Sequence, residues 1–411
     1  MKTSTLIIIE KYFVKPILLF LNIFVRIIGK IAHLNHDLSR DFDVIAVCKF
    51  KGMGSIIQAT PLLQTLRIRY PNAEIIFVST KANEGILSKI DLIDTRILLN
   101  DKNFFTLITC FFPFLFRLIF KKIKIYIDLE IYSHFSSFVT TASLAKNRIG
   151  FYLSSSDYSL GLYTHMMYFN SDFPIFQVYL QMARLLKINN IYTKLYDFQS
   201  ITYNNDCGFI NKDENYFVIN VNASDLRVER RWDILNFEKL ILELIKSFPS
   251  IKIILIGSKS EYNYTRALNE KITHKNIINL SGKTNIEELI LIIKKAKLVI
   301  TNDTGPMHLS FALKTKTVAL FGPCSPIQYG ISENNAIIYN KIYCSPCVHE
   351  FLKPPCKGDN QCMKQISVEI VLNAINELLD NNTFINKSYS DVIYCKSEDN
   401  TPLGIIKRKN M

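Results

Sequence analysis

Short apolar runs alternate with helix-like stretches twice along this chain, and that alternation restricts its fold more than any other feature. Residues 43–48 read as a buried strand, Lys51-Gly-Met-Gly54 as a turn, and 56–70 as a helix that stops at Pro71. Strands at 74–78 and 124–128 follow, then a helix over 136–145. The pattern restarts with a strand at 216–220, a helix at 236–248, a strand at 251–256 and a helix at 286–296. It ends with a strand at 298–300, a helix at 307–313 and a strand at 317–321. Repeated strand–helix–strand units imply right-handed crossovers and parallel sheets. The polar stretch around 200–215, with Asn204, Asn205, Asp206, Asn211, Lys212 and Asp213, reads as a linker. The expected division is an N-terminal segment 1–40, a doubly wound domain 41–205 and a second one 206–411. Two such domains in series are expected to face a cleft at the carboxyl ends of their strands.

The 411 residues are enough for two or three domains, and 48% apolar with 21% charged residues marks a globular chain. A net charge of +13 asks for an anionic partner: nucleic acid, an acidic membrane surface or a phosphorylated substrate. Scattered solvated lysines are the plainer alternative. No arginine-rich run, zinc-finger spacing or RNP-like aromatic motif is present, so no nucleic-acid partner is expected. Nine cysteines are too few for a disulfide scaffold. Cys48 and Cys110 sit in apolar runs as small hydrophobes, which favours a reducing compartment.

Between Tyr12 and Lys30 the chain is strongly apolar, interrupted by Lys15, Arg26 and Lys30. The charge-free interval 16–25 is about half of the roughly 20 residues a spanning helix needs. A helix lying in the membrane interface with snorkelling basic residues fits this segment. A spanning anchor and a helix packed on the protein itself are the other readings. A second apolar stretch, 104–116, holds many phenylalanines and is followed by Arg117, Lys121, Lys122 and Lys124. It reads as a second membrane contact or as a core helix. The resulting expectation is a cytoplasmic protein held peripherally at the inner-membrane surface.

Two turns carry chemistry. Lys49-Phe-Lys51-Gly52-Met-Gly54-Ser55 joins a strand to a helix but lacks the third glycine of a dinucleotide fingerprint, Ile57 standing there. It is either a tight turn or a place where backbone N–H groups approach an anion. Thr301-Asn302-Asp303-Thr304-Gly305-Pro306-Met307-His308 follows a strand and opens a helix. Asp303 and Thr304 are N-cap residue types, Gly305 permits close approach, and Pro306 suits a first helical turn. Free N–H groups beside this polar loop would cradle a diphosphate.

The segment from Asn302 to Leu309, followed by Val318-Ala-Leu-Phe-Gly-Pro323, resembles the signature of glycosyltransferase family 9, the ADP-heptose:lipopolysaccharide heptosyltransferases. Gly52-Met-Gly-Ser-Ile-Ile-Gln-Ala-Thr-Pro61 resembles the family's first loop and helix. Asn222-Ala-Ser224 with Arg230-Arg-Trp232 resembles the start of its second domain. The resemblance runs from about residue 43 to 380. It implies a GT-B fold of two Rossmann-like domains and an inverting sugar transfer with no metal cofactor in the chemistry. It further implies a nucleotide-sugar donor such as ADP-heptose and a lipopolysaccharide or related glycolipid acceptor. By position, Asn222, Ser224, Arg230, Glu261, Asp303, Thr304, Gly305 and His308 would bind the donor. Lys51, Gly52 and Gly54 would form the acceptor-side loop.

One departure bears on catalysis. The family usually has Gly-Asp where this chain has Gly54-Ser55, and that aspartate is taken as the general base. A serine hydroxyl cannot accept the proton without help. Glu130, just beyond the strand 124–128, is the carboxylate expected to substitute; a loop carboxylate in solvent is the alternative reading. The Cys344, Cys347, Cys356 and Cys362 cluster in a Pro-rich loop allows a structural zinc or four reduced thiols. The non-catalytic alternative, a nucleotide-sugar or glycolipid binding protein, draws its support from Ser55.

Overall fold

The computed structural model describes residues 12, 14–153, 159–199, 214–223, 227–331, 333–349 and 356–380, with the backbone of 392–394. It forms two compact units, Met1–Tyr196 and Asp197–Met411. The division lies upstream of the polar stretch 200–213, which is outside the described residues. Gln199 belongs with the second unit: its amide donates to Leu313 O, and its carbonyl accepts from Lys294 Nζ at 2.7 Å.

The first unit is a six-stranded sheet of β1 (Val44–Cys48), β2 (Glu74–Thr80), β3 (Thr95–Leu99), β4 (Ile125–Asp128), β5 (Asn147–Tyr152) and β6 (His165–Tyr168). Their order is β3-β2-β1-β4-β5-β6 and every pairing is parallel. The helices are α1 (Lys15–Ile31), α2 (Met53–Arg69), α3 (Phe104–Phe120), α4 (His134–Ala142) and α5 (Ile175–Leu185), one-turn helices being left unnumbered. The core on one face joins Ala46, Cys48, Ile76 and Tyr126 from the strands to Phe114 and Leu118 of α3 and Val139 of α4. Helices α2 and α5 pack against each other. Pro61 inside α2 cannot donate to the Ile57 carbonyl, and the Thr60 hydroxyl takes that acceptor at 2.6 Å.

The second unit repeats the plan with β7 (Tyr216–Asn220), β8 (Lys252–Leu255), β9 (Ile277–Asn279), β10 (Leu298–Asn302), β11 (Thr317–Phe321), β12 (Asn335–Tyr339) and β13 (Val392–Tyr394). The order is β13-β12-β11-β10-β7-β8-β9, again parallel throughout. Its helices are α6 (Ile234–Ser247), α7 (Tyr262–Ile272), α8 (Ile286–Lys295), α9 (Gly305–Ala312) and α10 (Val368–Leu379). Trp232 and Phe237 meet edge to face at 4.9 Å between centroids within a core shared by the strands, α6 and α10.

Both sheets wind outward in two directions from their first strand. The winding reverses between β1 and β4 in one unit and between β7 and β10 in the other. In open parallel sheets, ligand crevices form at the carboxyl ends of the strands at such a reversal. The residues just past Cys48 and Asp128, and just past Asn220 and Asn302, are therefore where each unit's chemistry is to be sought.

Candidate active site

In the second unit three loops meet at the β7/β10 reversal, and Asn302 holds them together. Its Oδ1 accepts from Trp232 N at 3.0 Å, and its Nδ2 donates to Asn222 O at 3.1 Å. Trp232, wholly buried, is further fixed by Nε1 donating to Ile366 O at 2.9 Å. That anchor carries the preceding arginines into place. Arg231 turns back on the protein, donating to Ala223 O at 2.8 Å and lying over the Tyr264 ring. Arg230 points the other way: its Nη1 stands 3.5 Å from Asp303 Oδ2 and donates to Asp303 O at 3.4 Å.

The charge at this point is incompletely satisfied. Arg230 Nε and Asp303 Oδ2 are both buried with no hydrogen-bond partner. Burial works against the Arg230 charge, but Cys324, Asp303, Tyr329 and Glu229 outweigh it and raise its pKa. His308 Nε2 lies 3.9 Å from Asp303 Oδ1. Burial lowers the His308 pKa to about 4 despite Asp303, with Arg230 adding to the shift, so the imidazole is neutral at physiological pH. Gly305 starts α9, and no side chain caps that helix start. The Thr304 hydroxyl is engaged inside the unit, accepting from Asn220 Nδ2 at 2.8 Å. Arg230, Asp303, Thr304, Gly305 and His308 thus come together as the sequence suggested. An uncapped helix start beside an orphaned guanidinium nitrogen suits an anion, and the orphaned carboxylate oxygen suits a hydroxyl donor.

The other donor-side residues divide differently. The Asn222 amide is spent internally, donating to Ile256 O at 3.1 Å and Thr265 Oγ1 at 3.0 Å. A residue so committed orders the loop and leaves no free side-chain donor. Glu261 Oε2 closes a capping box with Ser258, accepting its N–H at 2.7 Å and its hydroxyl at 2.8 Å, just past β8. Ser224 lies outside the described residues. Asn220 and Asn302 were missed as site-forming residues. Their signal was a polar side chain at the carboxyl end of an otherwise apolar strand.

At the β1/β4 reversal of the first unit, Glu130 is not the free carboxylate a general base requires. Lys49 Nζ donates to its Oε2 at 2.9 Å, and the pair is 8% and 7% exposed. The N–H groups of Phe50 and Lys51 donate to its Oε1 at 2.8 and 2.9 Å. Burial alone would raise its pKa, but Lys49 and these N–H groups hold the carboxyl below its usual value. The expectation of a proton acceptor is replaced by that of a clamp on the loop leading to Gly52. Gly52 has φ +86°, which favours glycine, and it starts α2. Lys51 and Gly52 are exposed and Gly54 is buried. The Tyr179 hydroxyl is buried, and burial raises its pKa against the opposing charge of Lys49. Asp128, also buried, accepts from Tyr163 Oη at 2.7 Å, and burial raises its pKa to about 6.

Cys344 and Cys356 are half-buried, Cys347 and Cys362 buried, and all are free thiols. Burial and the other three cysteines push Cys362 up to about 12. Among the described residues no three His, Cys, Asp or Glu side chains are arranged to hold a metal.

Two doubly wound parallel units in tandem define a GT-B type of chain. The model of the family described as "Glycosyltransferase family 9 (heptosyltransferase)" matches residues 125–355. This is more than half of the chain, and the chain belongs to that family. Lipooligosaccharide heptosyltransferase 2 of Campylobacter jejuni is 36% identical over 160 residues, 37% of this chain and 47% of that relative. The match therefore spans about half of that relative's length. Lipopolysaccharide heptosyltransferase 1 of Campylobacter coli is 25% identical over 363 residues, covering 81% of this chain and 98% of the relative. The solved structure of E. coli ADP-heptose lps heptosyltransferase II is similar in fold, with a TM-score of 0.64 and 20% identity. The similarity covers 82% of this chain and 98% of that one.

Proposed function

We propose that the protein is an inverting glycosyltransferase that moves a sugar, heptose from ADP-heptose, onto a lipopolysaccharide core or a related glycolipid. The observation that carries this reading is the Arg230–Asp303 pair, with its buried, orphaned Nε and Oδ2, at the uncapped start of α9. Arg230 and the α9 N–H groups would bind the diphosphate and stabilise it as it departs. Asp303 would accept from a sugar hydroxyl, and neutral His308 would orient the donor beside it. Breaking the anomeric carbon–oxygen bond leaves the electron pair on the diphosphate. The acceptor hydroxyl attacks from the opposite side, forming the new carbon–oxygen bond, and its proton passes to a solvent water. Ser55 would orient that hydroxyl; a neutral serine hydroxyl is not a base. No metal enters this scheme.

A titration of the purified protein with ADP, UDP, GDP and CDP, each with and without magnesium, tests it. Selective, magnesium-independent ADP binding is expected. Arg230→Met should weaken it by about tenfold to 150-fold, the worth of one charge-assisted contact at about 1.5–3 kcal/mol. Preference for another nucleotide would overturn the donor assignment. The engagement of Glu130 by Lys49, together with Ser55, specifically favours a second reading: a family member that binds the donor without turning it over. ADP binding with no sugar transfer to glycolipid would establish that reading.

A further inference from the structure

We infer that α1 and α3 seat the first unit on an anionic lipid bilayer, lying in its interface rather than crossing it. The inference is independent of the sugar chemistry, and both helices precede the residues matched by the family model.

The two helices are built the wrong way round for solvent. On α1 the inward stripe is Leu18, Asn22 and Arg26, spaced four apart. Leu18 is fully buried, and Asn22 Nδ2 and Arg26 Nη2 both donate to Leu160 O, the latter at 2.9 Å. A side chain at Gly161 would meet both: an added Cβ would lie 2.6 Å from Arg26 Nε and 2.8 Å from Asn22 Oδ1. Asn22 and Arg26 thus dock the middle of this helix on the protein, while Phe20, Phe24, Ile27 and Ile31 face outward. An ordinary surface helix does the reverse.

Helix α3 is apolar on both sides. Phe114 and Leu118 enter the core, and Phe105, Ile108, Phe112 and Phe116 run along the opposite face, Phe105 being 76% exposed. Both α1 and α3 pack against α4, so they lie on one face of the sheet. Phe20, Phe24, Phe105, Phe112, Phe116 and Phe120 are each more than half exposed. At roughly 150–250 Å² for a whole aromatic side chain, these six alone expose at least about 450 Å². Adding the exposed isoleucines and leucines takes the apolar surface past the roughly 300–600 Å² of the largest patch on a typical soluble monomer.

Charge decides the occupant. Neither helix contains an aspartate or glutamate. Exposed Lys30 and Arg117 lie in their last turns, and exposed Lys122 and Lys124 follow α3. Apolar helices that carry cations at their ends and no carboxylate match a surface of acyl chains beneath anionic head groups. A neutral or self-complementary protein partner has no need of a one-sign edge. Among the described residues no helix is long and apolar enough to cross a membrane. The seat is therefore in plane.

Flotation of the full chain with vesicles tests this, using phosphatidylcholine alone and phosphatidylcholine mixed with phosphatidylglycerol. The protein is expected to float with the anionic vesicles and to be released by salt. Phe20→Ser with Phe24→Ser, and separately Phe112→Ser with Phe116→Ser, should each weaken partitioning by about tenfold or more. Lys30→Glu with Lys122→Glu should abolish the preference for anionic lipid. Because serine variants can fail for other reasons, Phe24→Trp and Phe112→Trp supply a direct readout. The single native tryptophan, Trp232, is fully buried and gives a constant background. Each new indole should shift to the blue on vesicle addition and be quenched by brominated lipid. Three results would overturn the inference: wild-type protein remaining below both vesicles, indoles indifferent to lipid, or a face that instead drives self-association which the serine variants dissolve.

Discussion

Glu130 receives three donors, from Lys49 Nζ and from the N–H groups of Phe50 and Lys51, and this decides what its substitution would report. Glu130→Gln leaves a buried ammonium unpaired, at a cost of about 3–5 kcal/mol. It should therefore lower the melting temperature of the first unit as well as turnover. Lys49→Met combined with Glu130→Leu should come closer to wild-type stability than Glu130→Gln alone. A normal melting curve with turnover alone lost would instead restore the general-base role. The sign of the pH effect follows from the depressed carboxyl pKa: the clamp is present above the ordinary glutamate value and is lost as pH falls through the lower folded value. His308 contributes with the same sign. Its folded pKa of about 4 lies below the unfolded value of about 6.5, so the neutral imidazole costs stability as pH falls between the two. The full cost, below both, is about 3 kcal/mol at 1.36 kcal/mol per unit. Urea midpoints measured from neutral pH down through this window should show the slope, and His308→Gln should flatten it. ADP affinity should show no step near pH 6.5.

At the scale of elements, the glycine that opens α2 carries its own prediction. Gly52→Ala forces a side chain to φ +86°, at about 1–2 kcal/mol. It should lower the first unit's denaturation midpoint while leaving nucleotide binding in the second unaltered. The same scale shows what was readable beforehand. Central strands β1, β2, β4, β7, β10 and β11 are buried and mostly apolar, with polar residues confined to their ends, so an apolar run announced each of them. Strands β3 and β6 carry exposed or half-exposed residues such as Arg96 and His165, and β9 is three residues long. Nothing local separates such edge strands from loop. The α9 start was legible because its cap types, glycine and proline are contiguous. The Lys49–Glu130 pair was not, because 81 residues separate partners that only the β1–β4 pairing brings together. Hydropathy found α1 and α3, but which stripe faces inward is set by Leu160 and Gly161, a long way along the chain.

At the scale of the molecule, the two units have separate hydrophobic cores, and the proposed donor residues all belong to the second. A ligand that binds only the native second unit stabilises that unit by mass action, by about 2.7 kcal/mol at a hundred times its dissociation constant. It has no direct hold on the first. Calorimetry with and without ADP should therefore show two transitions, of which one moves. Arg230→Met should shrink that movement without displacing the other transition. Glu130→Gln should do the converse, lowering the transition that ADP leaves alone. Should both transitions rise together with ADP, the donor would also be held by residues of the first unit. The assignment of Arg230, Asp303 and the α9 start as sufficient for binding would then fail, and the loop at Lys51–Gly54 would be the place to look for the missing contact.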